Sequence, residues 1–417
     1  MPDRIIMHID VNSAFLSWQA VYNLQRGHPV DLREIPSAVA GSQATRHGII
    51  LARSIPAKEC GVKTGEPVWE AKNKCRQLVL VPPDHHLYMK CSNTLMEVLR
   101  EYSPKVQQYS IDEAFLDYTG MEKRFGGPVA LANRLKDRIQ KELGFTVNIG
   151  ISCNKLLAKM ASEFKKPDRV HTLFPEEIEH KMWPLPVEKL FMVGRATTKK
   201  LYSMGICTIG DLARIDPDLL KHKLKSHGLL IYNYARGMED SAVFPGYYMP
   251  MKGMGNSSTI PFDVEDTHTA RLILLSLSET VAMRLRHSQS CCSVIAVSIK
   301  YSDFKCCSHQ QKLLTPVNCT MDIYKTAARL FNEAWDGSPV RHIGLRVTDL
   351  GRDNHIQCSV FDHPCHTRNL ELDKTMDSIR NLYGIGSVVR ACFINSGICA
   401  SLGGAGPENW PVMSSIL

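Results

Sequence analysis

Tyr109-Ser110-Ile111-Asp112-Glu113-Ala114-Phe115-Leu116-Asp117 is the stretch whose reading decides the fold. Ile111 and Phe115, with Tyr109, alternate as strand residues do, so the adjacent carboxylates Asp112 and Glu113 fall near a strand turn and not on a helix. Such a pair is either a solvated hairpin tip or a ligand pair for a hard cation such as magnesium, which takes carboxylate oxygens and keeps water and substrate phosphate in its shell. The second reading needs a third carboxylate. Ile5-Ile6-Met7-His8-Ile9-Asp10 supplies one, a strand-like run that ends on Asp10. Asn12 and Ser13 follow as cap candidates for a helix from about Ala14 to Leu24. Asp10 then stands at the carboxyl end of a strand, where open α/β sheets place ligands, or it is an ordinary cap.

The 417 residues, 44% hydrophobic and 22% charged, describe a soluble globular chain long enough for roughly three domains. A formal charge of +8 is compatible with a polyanionic partner. No apolar run approaches the roughly 18 residues of a membrane span. The start, Met1-Pro2-Asp3-Arg4, opens into a strand-like run and not a secretory signal, so a cytoplasmic protein with no membrane partner is expected. Fourteen cysteines are scattered without paired CxxC spacing, which predicts reduced thiols. Cys358, His363, Cys365 and His366 form a zinc candidate whose spacing matches no zinc module.

Short strands are predicted near Ala38–Ala40 and Gly48–Ala52, followed by Arg53, Lys58, Lys63, Lys72 and Lys74, which hold phosphates or face water. Leu87, Cys91, Leu95, Val98, Leu99 and Tyr102 recur at helical spacing over 86–101, as do Ala132, Leu135, Ile139 and Leu143 over 128–143. A strand at 145–151 and a helix from Asn154 stopped by Pro167 follow, with Lys155, Lys159 and Lys166 able to project toward the acidic strand ends. The order predicts an α+β layer with helices on one face. From Lys189 to Asp240 the chain reads as two short helix-turn units, in which Gly194 and Gly205 either let backbone N–H groups approach a phosphate or simply turn the chain. Pro245 to Gly255 reads as a tether. Beyond it lies a separate α+β domain, with helices near 267–287 and 322–335, strands near 294–301, 310–314 and 342–348, and Lys300, Lys312 and Arg346 on the polar face. A helix at 370–382 and a Gly/Ser/Pro-rich end expected to be poorly ordered close the chain.

Ile9-Asp10-Val11-Asn12, Ser110 to Asp117, Gly150-Ile151-Ser152 and Leu157-Ala158-Lys159 with Lys166-Pro167, in this order, resemble the Y-family translesion DNA polymerases of the DinB/UmuC group over about residues 4 to 361. The resemblance implies a multidomain right-hand polymerase. Palm and small fingers would occupy 1–188, a helix-hairpin-helix thumb 189–244, a tether 245–255, a little finger 256–352 and a tail 353–417. It implies that Asp10, Asp112 and Glu113 hold two magnesium ions, that Phe15 is the steric gate against ribonucleotides, and that Lys166 binds the triphosphate with help from Lys58 and Arg53. Primer-template DNA would lie on Gly194, Gly205, Lys300, Lys312 and Arg346, and deoxynucleoside triphosphates would be the substrates. Gln357-Cys358-Ser359-Val360-Phe361 resembles the family's sliding-clamp peptide, anchored by Gln357 and Phe361, with Cys358 and Val360 replacing leucines. A monomer without proofreading is expected.

The chain departs from the family where Ile55 and Lys58 replace a tyrosine and an arginine of the fingers, so a hydroxyl is lost and a bidentate donor becomes a point charge. Met192 replaces the first hairpin glycine of the thumb. Two other readings therefore stand beside an error-prone polymerase: a catalytically weak DNA-binding protein that keeps the fold, and another two-metal palm enzyme such as a nucleotide cyclase. The second of these would have no use for a thumb or little finger.

Overall fold

The computed structural model describes residues 4–245, 251–353 and 365–401. Gln357 and Phe361 of the clamp peptide, and Cys358 and His363 of the zinc candidate, lie outside the described residues. Two compact units are present, the first built from residues 1–41 and 49–249 and the second mainly from 250–409.

In chain order the first unit begins with β1 (Ile6–Val11), α1 (Ala14–Gln25), β2 (Ser37–Ala40), β3 (Ile50–Arg53), α2 (Ile55–Glu59), α3 (Val68–Lys74) and β4 (Val79–Val81). It continues with α4 (His85–Arg100), β5 (Val106–Gln108), β6 (Glu113–Asp117), α5 (Glu122–Phe125), α6 (Pro128–Leu143), β7 (Val147–Ser152), α7 (Lys155–Ser162) and β8 (Val170–Thr172). The main sheet has the order β5-β6-β1-β7-β8, and a small sheet β3-β2-β4 stands apart from it. β1 is central, antiparallel to both β6 and β7, and every one of its residues is buried.

That burial follows from cover on both faces. Met7, Ile9 and Val11 join Leu95 and Leu99 of α4 and Leu131, Leu135 and Ile139 of α6 in one core. Ile6 packs on the other side, with Ala158 of α7, and His8 reaches Ser162 there. Helices therefore cover both faces, not one as the sequence predicts. α7 is buried at every position, so it carries no stripe from which its side could be read. Its seat is Gly150, where a Cβ would meet the Ala158 carbonyl oxygen at 2.0 Å and the Ser162 nitrogen at 2.5 Å. Only glycine lets the helix lie this close.

Four helices follow where two units are predicted: α8 (Arg195–Tyr202), α9 (Ile209–Arg214), α10 (Pro217–Leu224) and α11 (Ser226–Ala235). Asp216 caps α10 ahead of Pro217, and Lys225, at φ 56°, breaks the chain between α10 and α11. Leu201, Ile209, Leu212, Leu220 and Ile231 share a core with Leu157 and Met160 of α7.

The second unit contains β9 (Gly253–Val264), α12 (Thr267–His287), β10 (Ser290–Tyr301), β11 (Cys306–Val317), α13 (Thr320–Ala334), β12 (Val340–Arg352) and α14 (Cys365–Tyr383). Its sheet is antiparallel, in the order β11-β10-β12-β9. β9 begins inside the stretch read as a tether. Its inward residues Met254, Ile260 and Val264 are spaced too widely to register as strand alternation. The helix expected at 370–382 is present as α14, and in the end expected to be poorly ordered Phe393 and Ile398 join the core of this unit. There Glu279 of α12 bonds Arg380 of α14 at 2.5 Å and also meets Arg390, while Arg286 grips Asp377 at 2.7 and 3.0 Å and Asp373 at 3.1 Å. Glu279, Asp373, Asp377 and Arg380 are all buried.

Candidate active site

Strand register brings the first two carboxylates together, because Asp10 on β1 lies directly opposite Glu113 on β6. The turn before β6 is tied down by Ser110, whose hydroxyl donates to Asp112 Oδ1 at 2.6 Å and accepts from the Glu113 N–H at 3.1 Å. The Asp112 carbonyl accepts from the Val11 N–H at 3.1 Å, fixing the turn against the end of β1.

α7 and the residues after it supply the cations. Lys159 Nζ lies 2.7 Å from Glu113 Oε1, and Lys166 Nζ lies 3.0 Å from Asp10 Oδ2 and 2.7 Å from Glu163 Oε1. Below them His8 is fully buried, with Nδ1 against the Ser162 hydroxyl at 2.8 Å and Nε2 3.9 Å from Glu113 Oε2. Because that hydroxyl donates to the Lys159 carbonyl at 2.7 Å, it accepts from His8, which fixes the proton on Nδ1. Burial, reinforced by the Lys159 and Lys166 charges, holds His8 neutral.

Oxygens of Asp10, Glu113 and Glu163 lie within 4.8 Å of one another. Burial pushes the Asp10 carboxyl up to about 8; the Lys166 ammonium opposes this, and the charges of Glu113 and Glu163 add to it. A buried carboxylate crowded by two others fits a hard divalent cation, which would supply the positive charge that two lysines do not. Glu163 is absent from the residues singled out in the sequence. It sits at the C-terminal cap of α7, where an acidic residue reads as an ordinary solvated position. Asp112 is outside the cluster of three but lines a cleft together with Asp10, which Glu113 and Glu163 do not line.

That cleft, about 530 Å³ in volume, gathers most of the predicted nucleotide residues: Asp10, Phe15, Arg53, Lys58, Asp112 and Lys166, with Ile55 also on its wall. Phe15 stacks on Tyr88 with ring centroids 4.6 Å apart and planes 7° from parallel, so its ring is braced from behind while it faces the cleft. Arg53 lines the cleft but donates to the Val62 carbonyl, which commits part of its guanidinium to the backbone. Lys58 and Ile55 are exposed on α2, whose start is capped by Ser54.

The remaining predicted residues fall elsewhere. Gly194 is the N-cap of α8, and Gly205 turns the chain after it at φ 78°, a conformation open to glycine. Met192, at φ 72°, keeps a left-handed backbone without glycine's freedom. In the second unit Lys300, Lys312 and Arg346 share the sheet face opposite α12 and α13, as the pairs Val294↔Lys312 and Ala296↔Arg346 show. Lys312 is drawn to Asp349 at 3.2 Å, and Lys300 lies 4.8 Å from the Phe304 ring centroid.

Residues 9–163 match the impB/mucB/samB family, 251–360 the C-terminal domain of that family, and 175–206 its HHH motif. DNA polymerase IV of Clostridium acetobutylicum is 44% identical over 395 residues, covering 94% of this chain and 98% of that one. DNA polymerase IV 2 of Bacillus subtilis is 34% identical over 403 residues, covering 95% and 96%. Among solved structures, a chimera of Y-family DNA polymerases superposes with a TM-score of 0.70 at 22% identity, covering 83% of this chain and 98% of its own. No helix among the described residues is long and apolar enough to cross a membrane.

Proposed function

Since the chain belongs to the impB/mucB/samB family of Y-family DNA polymerases and is a DNA-directed DNA polymerase, we propose that it inserts deoxynucleotides opposite damaged template bases, by two-metal phosphoryl transfer and without proofreading. The observation that carries this reading is the cleft in which Asp10, Asp112, Phe15, Lys58 and Lys166 converge. Asp10, Asp112 and Glu113 would hold two magnesium ions. When bound, such ions would stabilise the negative charge that develops on the attacking 3′-oxygen, the α-phosphate and the departing pyrophosphate.

The chain's own residues do the rest. Lys166 and Lys58 place ammonium charges where a triphosphate enters. Phe15, held by Tyr88, crowds the sugar edge and rejects a 2′-hydroxyl. Ser110 and the Val11 N–H fix the acidic turn so that the carboxylates need little rearrangement. Lys300, Lys312 and Arg346 on an open sheet face, with the Gly194 and Gly205 turns, grip the primer-template backbone through phosphate contacts. A monomer aided by a sliding clamp at Gln357 and Phe361 completes the reading.

Primer extension on intact and lesion-bearing template tests it. Extension past the lesion is expected from the parent, and Phe15→Ala is expected to admit ribonucleotides. An inactive protein with intact DNA binding would favour the weak DNA-binding alternative, which Ile55 and Lys58 motivate.

A further inference from the structure

The Lys166 ammonium is shared between two carboxylates of unequal standing. Asp10 Oδ2, 3.0 Å away, belongs to a buried strand residue in the cation site, while Glu163 Oε1, 2.7 Å away, belongs to a half-exposed residue at the end of α7. A divalent cation on Asp10 competes with Lys166 for that carboxylate. An ammonium left without another acceptor would either stay and repel the cation or leave the cleft wall. Glu163 is the second acceptor, three residues before Lys166 on the same turn of chain. A lysine suits such an exchange, since its point charge on a flexible stem makes no planar demand on its partner.

We propose that Glu163 is a positioning residue that holds Lys166 when Asp10 takes a divalent cation, so that one ammonium serves both to neutralise Asp10 and to meet the triphosphate. This rests on the metal reading above, and it differs from the simpler idea that Glu163 is itself a ligand. The two part company in their dependence on Lys166.

Manganese titration of the full-length protein, without DNA or nucleotide and followed by electron paramagnetic resonance of the free ion, separates them. Glu163→Gln is expected to weaken manganese binding about fivefold, the scale of a partly exposed ion pair. Lys166→Met should tighten it, and adding Glu163→Gln to Lys166→Met should change nothing further. In single-nucleotide insertion, Glu163→Gln should raise KM with little change in kcat, and Glu163→Asp should recover most of it. A Glu163→Gln loss that persists in the Lys166→Met background would make Glu163 a ligand and overturn the proposal, as would no loss at all. Manganese binding unaffected by Asp10→Ala would instead remove the metal reading on which the proposal stands.

Discussion

Two charge clusters, one largely buried and one partly open to solvent, lie in different units of this molecule, and they are built in opposite ways. In the second unit Glu279, Asp373 and Asp377 meet Arg286, Arg380 and Arg390, three anions against three guanidinium groups. In the first, Asp10, Glu113 and Glu163 meet Lys159 and Lys166, three carboxyl groups against two ammonium groups among the described residues. Arginine forks lock carboxylates in fixed geometry, as Arg286 does with both oxygens of Asp377. Lysines hold theirs loosely, and the third carboxyl, Asp10, is left to keep its proton up to about pH 8 or to give it up to a cation. The balanced cluster is a clasp for the C-terminal segment; the unbalanced one has room for an additional cation.

The contrast can be broken experimentally, and the largest effect belongs to the unbalanced cluster. Asp10→Ala and Glu113→Ala are each expected to lower primer extension by about a thousandfold or more, with primer-template affinity within a few-fold if, as proposed, binding rests on phosphate contacts elsewhere. Extension assays and DNA-binding isotherms on the same preparations check this. Glu279→Ala should instead destabilise the second unit by about 3–5 kcal/mol, since buried Arg380 would lose its carboxylate partner and Arg390 would keep only Asp373. Thermal unfolding would show it as a lowered transition, and an unchanged one would mean that the clasp is not a clasp.

Asp10→Asn sharpens the difference further. With its carboxyl pushed up to about 8, Asp10 keeps its proton in the fold over a range where the unfolded chain loses it. Stability is therefore fully present below the unfolded value near 4 and is lost as pH rises toward 8. The asparagine variant escapes that loss. Its melting temperature in the absence of divalent metal should exceed the parent's by a margin that grows from pH 4 to pH 8 and then levels off, and magnesium should shrink the margin by stabilising the parent. The smallest effect concerns lysine against arginine at the cleft rim: Ile55→Tyr with Lys58→Arg should lower the nucleotide KM by roughly tenfold, about one charge-assisted hydrogen bond. Steady-state insertion kinetics decide it.

What could be read from the sequence follows how local each signal is. Asp10, Asp112 and Glu113 stand at the ends of strand-like runs, so motif and period single them out as candidates, and Phe15 enters only through the family resemblance, five residues after Asp10. The helices 128–143 and 267–287 were legible for the same reason, each having a stripe or caps of its own. Glu163 was not, because its meaning depends on Asp10, 153 positions earlier in the chain and reached only through the folded sheet. The clasp escaped for a similar reason: Glu279 and Arg380 are 101 residues apart and neither belongs to a local pattern. β9 was hidden by glycines that read as a linker.

Gly150 has a consequence beyond packing. Lys159 rides on α7, and Glu163 and Lys166 follow directly from its end, so all three share one lever whose fulcrum is the contact of that helix with a glycine on β7. A single methyl group at the fulcrum would lift the lever, and the charges would move as a set relative to the carboxylates on β1 and β6. The tolerance to which this charge cluster is machined is thus set by an atom that is missing, at a position that bears no charge.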